Sequence, residues 1–342
     1  MVMRHPHCYV QQLYQYLKIR KKSLNDSSNY RGIALSSTIG KVLDTILLVS
    51  NQDILQSSPL QFGFKAQHST TMCTFALEEV VQYYKNNNSD VYIMLLDASK
   101  AFDRVHYVKL FKLLHDRGMC PLVSRLLIMM YTNQSLCVKW GNCLSKYFNA
   151  TNGVKQGGVL SPILFTAYMD KLLEQLESSG VGCYIGRQFM GAFGYADDVA
   201  LVSPTLTSLR LLLSVCDDFG REFNVLFNPD KYQLMHYTCN SNKLEGIVYN
   251  DIFIKATECG THLGNPVGPN GPSNAINDGI NSFIIQYNSI MSLFPKAHVN
   301  VKYTLFKSFG MSLYGCIYYG ICLVVILQDF IRNGVNVSVD YL

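Results

Sequence analysis

Val91-Tyr92-Ile93-Met94-Leu95-Leu96 is an unbroken apolar run that follows the turn-forming stretch Asn86-Asn87-Asn88-Ser89-Asp90 and ends on Asp97. Without polar alternation, such a run reads as a strand covered on both faces, which demands a layered core of sheet and helices. Two further apolar arms, Gly191-Ala192-Phe193-Gly194-Tyr195 and Val199-Ala200-Leu201-Val202, flank Ala196-Asp197-Asp198. They read as a hairpin with carboxylates at its tip. A carboxylate at the end of an apolar run is costly unless paired, protonated or metal-bound. Three converging on one sheet edge repel, and a divalent cation is the natural remedy. Hard oxygen ligands favour magnesium, and two such ions can clamp the attacking and leaving oxygens of an in-line phosphoryl displacement. Spacing alone leaves ordinary acidic turns open as the alternative.

Helices are expected around these strands. Thr71 to Tyr84 carries Phe75, Leu77, Val80, Val81 and Tyr84 at helical spacing, and Val108, Phe111 and Leu114 mark another helix. After Gly153-Val154-Lys155-Gln156-Gly157-Gly158, Ser161 reads as an N-cap and Pro162 as the first helical residue, with Leu164, Tyr168, Leu172 and Leu176 on one face. Thr205 to Phe219 repeats the pattern through Leu206, Leu209, Leu212, Leu213, Cys216 and Phe219, with Gly220 as its stop. The adjacent Asp217-Asp218 falls on that helix's solvated face. Strands and helices alternate without repeats, so the fold class is α/β or α+β with a mixed or antiparallel sheet.

Composition narrows the setting. With 342 residues, 49% hydrophobic and 15% charged, the chain suits one or two globular domains. A net charge of +5 is compatible with a polyanionic partner and shared by many ordinary enzymes. The 11 cysteines are scattered singly, without zinc-ligand or C-x-x-C spacing, and read as thiols in a reducing compartment. No secretory signal opens the chain. The basic run Lys18-Ile19-Arg20-Lys21-Lys22 reads equally as a phosphate-facing or nuclear-address segment and as a solvated one. Ser308 to Leu327 is uncharged and long enough to cross a bilayer, but its Ser308, Ser312, Gly310, Gly315 and Gly320 favour a buried helix, or a tail whose original sequence was lost, over a membrane span.

Five stretches carry a family resemblance. Phe193-Gly194-Tyr195-Ala196-Asp197-Asp198-Val199 looks like the YxDD motif of reverse transcriptases. Leu96-Asp97-Ala98-Ser99-Lys100-Ala101-Phe102-Asp103-Arg104-Val105 resembles their first aspartate motif, and Gly153 to Phe165 resembles G-V-x-Q-G-x-x-L-S-P-x-L-F. Asn29-Tyr30-Arg31-Gly32-Ile33-Ala34-Leu35 and Gln61-Phe62-Gly63-Phe64-Lys65 resemble the two fingers motifs. All occur in the family's order, over about residues 24 to 320. The chain therefore resembles the reverse transcriptase domain of non-LTR, LINE-like retrotransposons.

The resemblance implies a right-hand polymerase: a basic N-terminal remnant at 1–24, fingers at 25–90, a palm at 91–268, and a partial or degenerate thumb with a hydrophobic tail at 269–342. Asp97 and Asp197 match the metal ligands, Asp198 completes the carboxylate triad, and two Mg2+ ions are implied. Phe102 matches the aromatic gate that excludes a ribose 2′-OH. Asp103 is a structural counterpart, its side chain expected to turn away from Phe102's by strand alternation. Gln156 and Gly157 match the nucleotide-contacting turn, where glycine permits close backbone approach. Arg31 and Lys65 are the expected fingers contacts to the nucleotide, lysine standing where arginine is commoner and lacking its bidentate fork. Lys231 matches the palm lysine associated with pyrophosphate release, and His262-Leu263-Gly264 resembles the primer-grip hairpin. Expected partners are an RNA template, a DNA primer and dNTPs, in the cytoplasm or nucleus, without stable membrane association. Two other readings stand beside this one: a catalytically silent remnant that binds RNA–DNA hybrid, and a group II intron-type maturase fragment. The chain departs from the family in lacking an endonuclease domain before the fingers, and in losing the match after Tyr318, which puts the thumb's grip on the duplex in doubt.

Overall fold

The structure is a computed structural model that describes residues 10–17, 30–239, 244–305 and 308. The first half of the chain runs β1 (Val10–Leu17), β2 (Tyr30–Leu35), α1 (Thr38–Ser50), α2 (Thr70–Asn86), β3 (Val91–Asp97), α3 (Ala101–Arg104), α4 (Tyr107–Asp116), α5 (Pro121–Thr132), β4 (Ser135–Trp140), β5 (Cys143–Leu144) and β6 (Phe148–Asn149). There follow α6 (Ser161–Ser178), β7 (Tyr184–Ile185), β8 (Gln188–Phe189), β9 (Ala192–Tyr195), β10 (Asp198–Ser203), α7 (Leu206–Phe223), β11 (Gln233–Tyr237), β12 (Gly246–Tyr249), β13 (Ile252–Lys255), β14 (Gly260–His262), β15 (Asn265–Val267), α8 (Gly271–Leu293) and α9 (Val299–Leu305). The basic run at 18–22 lies outside the described residues, as does the apolar stretch after Ser308. Among the described residues no helix is long and apolar enough to cross a membrane, and none of the described cysteines forms a disulfide.

The described residues divide into two compact units: those within 10–67, 96–201 and 207–231 form one, and those within 68–95, 202–206 and 232–305 the other. A four-stranded sheet has the order β11-β3-β10-β9. β3 is covered on both faces as its sequence requires, with Val91, Ile93, Met94, Leu95 and Leu96 buried. In the first unit, β9 and β10 form an antiparallel hairpin with Tyr195 opposite Asp198, leaving Ala196-Asp197 as a two-residue loop. The same unit holds a second sheet, β2-β1-β4-β5 with β6 also on β4, in which β1 runs parallel to β4 and antiparallel to β2. In the second unit, β11 pairs antiparallel with β3, placing Gln233 opposite Leu95. There β14 and β15 form a hairpin closed by Leu263 (φ 53°) and Gly264 (φ 82°).

Several local expectations are corrected. The buried stripe of α4 is Tyr107, Leu110, Phe111 and Leu114, and Val108 falls beside it, 70% exposed. In α2, Leu77, Val80 and Val81 are buried but Phe75 faces outward. α7 runs through Gly220 to Phe223, and Asn224, at φ 57°, takes the left-handed position that ends it. Gly220 serves close packing instead, since a Cβ there would stand 2.7 Å from the Val225 carbonyl oxygen. Ser161 makes no side-chain cap on α6, whose preceding residue Leu160 is already helical. The N–H groups of Val159 and Leu160 donate to the carboxylate of Asp44 on α1, so another element caps this helix. Phe102 and Asp103 sit on the short helix α3, so strand alternation does not govern their directions.

Candidate active site

All three candidate carboxylates belong to the first unit. Asp97 ends β3, and its carbonyl accepts from the Asn228 N–H at 3.1 Å. Asp197 lies in the hairpin loop and Asp198 opens β10. Ala196 before them holds φ 57°, a left-handed conformation that costs a residue with a Cβ about 1–2 kcal/mol. The Asp198 carboxyl is pushed up to about 6, first by burial and then by the negative charges of Asp197 and Asp97, against the pull of Lys231. The three carboxylates are thus electrostatic neighbours in a partly buried setting, and surplus negative charge accumulates there.

Lys231 reaches this cluster through local turn chemistry. The segment before it runs back along β3's exit: Ser99 N–H donates to the Leu226 carbonyl at 2.7 Å, and Ala98 bridges Phe227. Asn228 then accepts the Asp230 N–H on its own side chain at 3.1 Å, an Asx turn that winds Pro229–Lys231 into a short 3-10 turn. The Lys231 ammonium lands 2.5 Å from an Asp97 carboxylate oxygen. Among the described residues no group of three or more His, Cys, Asp or Glu side chains is arranged to hold a metal ion. The donor chemistry fits a hard divalent cation, and the positive charge at Asp97 is that of Lys231.

Around the carboxylates, the turn 153–158 is bound to its neighbours through backbone. Val154 N–H donates to the Phe102 carbonyl at 2.8 Å, and Gly153 N–H to that of Val105 at 2.9 Å. Ala34 N–H of β2 donates to the Gln156 carbonyl at 2.7 Å, and a Cβ on Gly157 (φ 101°) would meet the Ala34 carbonyl oxygen at 3.0 Å. Glycine at 157 is therefore required by the approach of β2 itself. The Gln156 amide donates to Asp103 at 3.3 Å, which gives Asp103 an anchoring contact. Phe102 stacks on Phe165 with ring centroids 4.2 Å apart and meets Phe64 edge-on at 6.0 Å. Lys65 is held within its own loop: its ammonium donates to the carbonyls of Ser58 at 3.0 Å, Gln61 at 3.4 Å and Ser57 at 3.5 Å. Arg31 lies on β2 opposite Tyr16 of β1. Asp218 pairs with Arg221 on the exposed face of α7, apart from this chemistry.

Two residues that pattern reading passed over support the site. Asp44 is 5% exposed; burial raises its pKa and lowers that of Lys155, and each charge partly offsets the other's shift. Through Lys155, Val159 and Leu160 it holds the segment that carries Gln156 and Gly157. Gln61 is fully buried, and its side-chain oxygen accepts from the N–H groups of Gly63 and Ala196, both at 2.9 Å. The available signal was a polar residue inside an apolar stretch: Asp44 between Leu43 and Leu47, and Gln61 between Leu60 and Phe62.

Comparison with known proteins bears on the family and the fold. The family described as "Reverse transcriptase (RNA-dependent DNA polymerase)" matches residues 19–283. A polyprotein from the type-2 retrotransposable element R2DM of Drosophila melanogaster is 29% identical over 203 residues, 59% of this chain and 19% of its own length. The RNA-directed DNA polymerase from mobile element jockey of Drosophila funebris is 25% identical over 264 residues, 72% of this chain and 28% of its own. The chain thus spans less than a third of either relative. Among solved structures, apo telomerase from Candida tropicalis, truncated from its C-terminal domain, superposes with a TM-score of 0.52 at 10% identity, covering 78% of this chain and 54% of that one. Telomerase from Candida albicans gives a TM-score of 0.52 at 9% identity over 99% of this chain and 64% of that one. At such identities the likeness shows the fold, the right-hand polymerase fold of reverse transcriptases. The chain therefore belongs to the reverse transcriptase (RNA-dependent DNA polymerase) family, as a domain of the non-LTR retrotransposon type.

Proposed function

We propose that this domain is an RNA-directed DNA polymerase that joins a primer 3′-OH to the α-phosphate of a dNTP on an RNA template. The observation that carries this reading is the placement of Asp97 at the end of β3, with Asp197 and Asp198 at the tip of the β9–β10 hairpin, on neighbouring strands of one sheet. These three would hold divalent ions, with magnesium as the cation and two as the number. Bound there, the ions supply charge compensation to the attacking and leaving oxygens. The protein's own share is positioning. Phe102, fixed by Phe165, walls the sugar side and selects the deoxynucleotide; Gln156 and Gly157 place the nucleotide against the template. Arg31 and Lys65 face the triphosphate once the nucleotide arrives, which requires Lys65 to leave its loop carbonyls. Lys231 holds Asp97 and then serves departing pyrophosphate. On this reading residues 25–90 are the fingers, 91–268 the palm and 269–342 a partial or degenerate thumb with a hydrophobic tail, and the protein works in the cytoplasm or nucleus.

The test is primer extension on an RNA template with purified protein, magnesium and dNTPs. Asp97→Asn and Asp197→Asn are expected to abolish extension while the folded chain persists, whereas Asp218→Asn, at an exposed ion pair, changes little. Parent-rate extension by Asp197→Asn overturns the assignment.

A further inference from the structure

We infer that Gln61 is a positioning residue for the carboxylate hairpin, its side-chain oxygen setting the backbone of the turn that carries Asp197. The inference rests on the polymerase reading of Asp197, and its physical basis is separate from it. Ala196, directly before Asp197, is held at φ 57°, where a side chain with a Cβ is unfavourable without outside support. That support comes from 135 positions upstream: the Ala196 N–H donates to Gln61 Oε1 at 2.9 Å. The same oxygen accepts the Gly63 N–H at 2.9 Å, so two backbone donors fix which end of the amide is oxygen. Its partner Nε2 is buried and finds no hydrogen-bond partner among the described residues. A buried amide with one orphaned end is costly, and what the position gains is the acceptor alone.

The surrounding backbone adds register to this contact. Gln61 bridges Gly194 in parallel, Phe62 N–H donates to the Gly194 carbonyl at 2.7 Å, and Gly194 N–H donates to that of Leu60 at 2.8 Å. Gly63 approaches so closely that a Cβ would stand 2.3 Å from the Ala196 nitrogen. The segment 60–63 thus lies along β9 as a further short strand, and Lys65 steadies it by binding the Gln61 carbonyl at 3.4 Å. Two family motifs far apart in sequence form one device: the upstream motif clamps the peptide that presents the carboxylate downstream.

Three forms of the full chain test this: parent, Gln61→Leu, which keeps the bulk and loses the acceptor, and Gln61→Glu, which keeps the acceptor. Single-nucleotide extension gives kcat and the dNTP KM, amide hydrogen exchange by NMR reads the Ala196 N–H, and thermal unfolding gives the share of folded protein. In Gln61→Leu, kcat is expected to fall by about tenfold to a hundredfold, as small misplacements of reacting groups do. KM should stay within about twofold, because substrate contacts are unchanged. Ala196 exchange accelerates while neighbouring β10 amides stay protected, and Gln61→Glu recovers both kcat and protection. Parent-like kcat in Gln61→Leu, equal losses in both variants, or an unchanged Ala196 exchange rate overturns the proposal. If the parent itself extends no primer, the polymerase reading fails, and the exchange comparison still decides whether Gln61 holds the turn.

Discussion

Two of the tight hairpins among the described residues, β9–β10 and β14–β15, have the same local plan and opposite surroundings. The β9–β10 hairpin turns on Ala196-Asp197, with Ala196 at φ 57°; the β14–β15 hairpin turns on Leu263-Gly264, at φ 53° and 82°. Around the first turn the protein is packed to contact: Gly63 leaves no room for a Cβ against Ala196, and Gln61 holds its N–H. Around the second, an added Cβ on Gly264 meets nothing within 4 Å, although the legs are anchored, with His262 and Asn265 buried and Thr261 N–H donating to Gln233 at 2.9 Å. The turn that carries Asp197 is supported from outside, whereas the second stands clear of the described residues at its tip.

The sharpest way to break this contrast is Gly63→Ala. The new Cβ must displace the Ala196 backbone, so extension is expected to drop about a hundredfold, with a cost of about 1–3 kcal/mol in urea unfolding. Parent-like extension would show that the first turn tolerates movement as freely as the second. Next comes pH. Burial pushes His262 down to about 4 from its ordinary 6.5, so the unfolded chain binds the proton more tightly. Stability is therefore full above pH 6.5 and falls as pH drops towards 4, by about 2–3 kcal/mol in total. His262→Leu should flatten that slope in urea titrations between pH 7 and pH 4, and an unchanged slope excludes His262 as its source. Gly264→Ala tests the open turn: strain alone predicts a loss of about 1 kcal/mol with single-nucleotide addition unchanged. The smallest effect is that of Ala196→Gly, where relief of the left-handed penalty outweighs the entropy of glycine by about 0.5 kcal/mol, seen as a slightly higher unfolding midpoint.

What the sequence disclosed about these regions followed from short-range periodicity. β3 was legible because six consecutive apolar residues have one reading, and the carboxylate hairpin because apolar arms bracket polar residues. Helices α2, α6 and α7 followed from spacing, yet their outward residues and ends did not. Val108 and Phe75 are apolar and exposed, which helical spacing cannot exclude. Gly220 looked like a stop because glycine often ends helices, whereas close approach of the Val225 carbonyl required it. The candidate site was legible in its carboxylates, Phe102 and Gln156 through family motifs. The supporting contacts were not: Gln61 stood inside a quoted motif without its partner and Asp44 in none, because each acts on a segment more than a hundred positions away.

The bond between Gln61 and Ala196 also changes how pieces of such a chain should be judged. A contact spanning 135 positions forms only after long-range closure, so the turn takes its final shape late relative to the strands that carry it. During synthesis residues 60 to 63 leave the ribosome before the hairpin they hold. A fragment beginning downstream of residue 63 would retain every carboxylate and the whole Tyr195-Ala196-Asp197-Asp198 signature, while lacking the acceptor that shapes the turn. Residues 60 to 63 are therefore to be read together with that signature when such a fragment is judged.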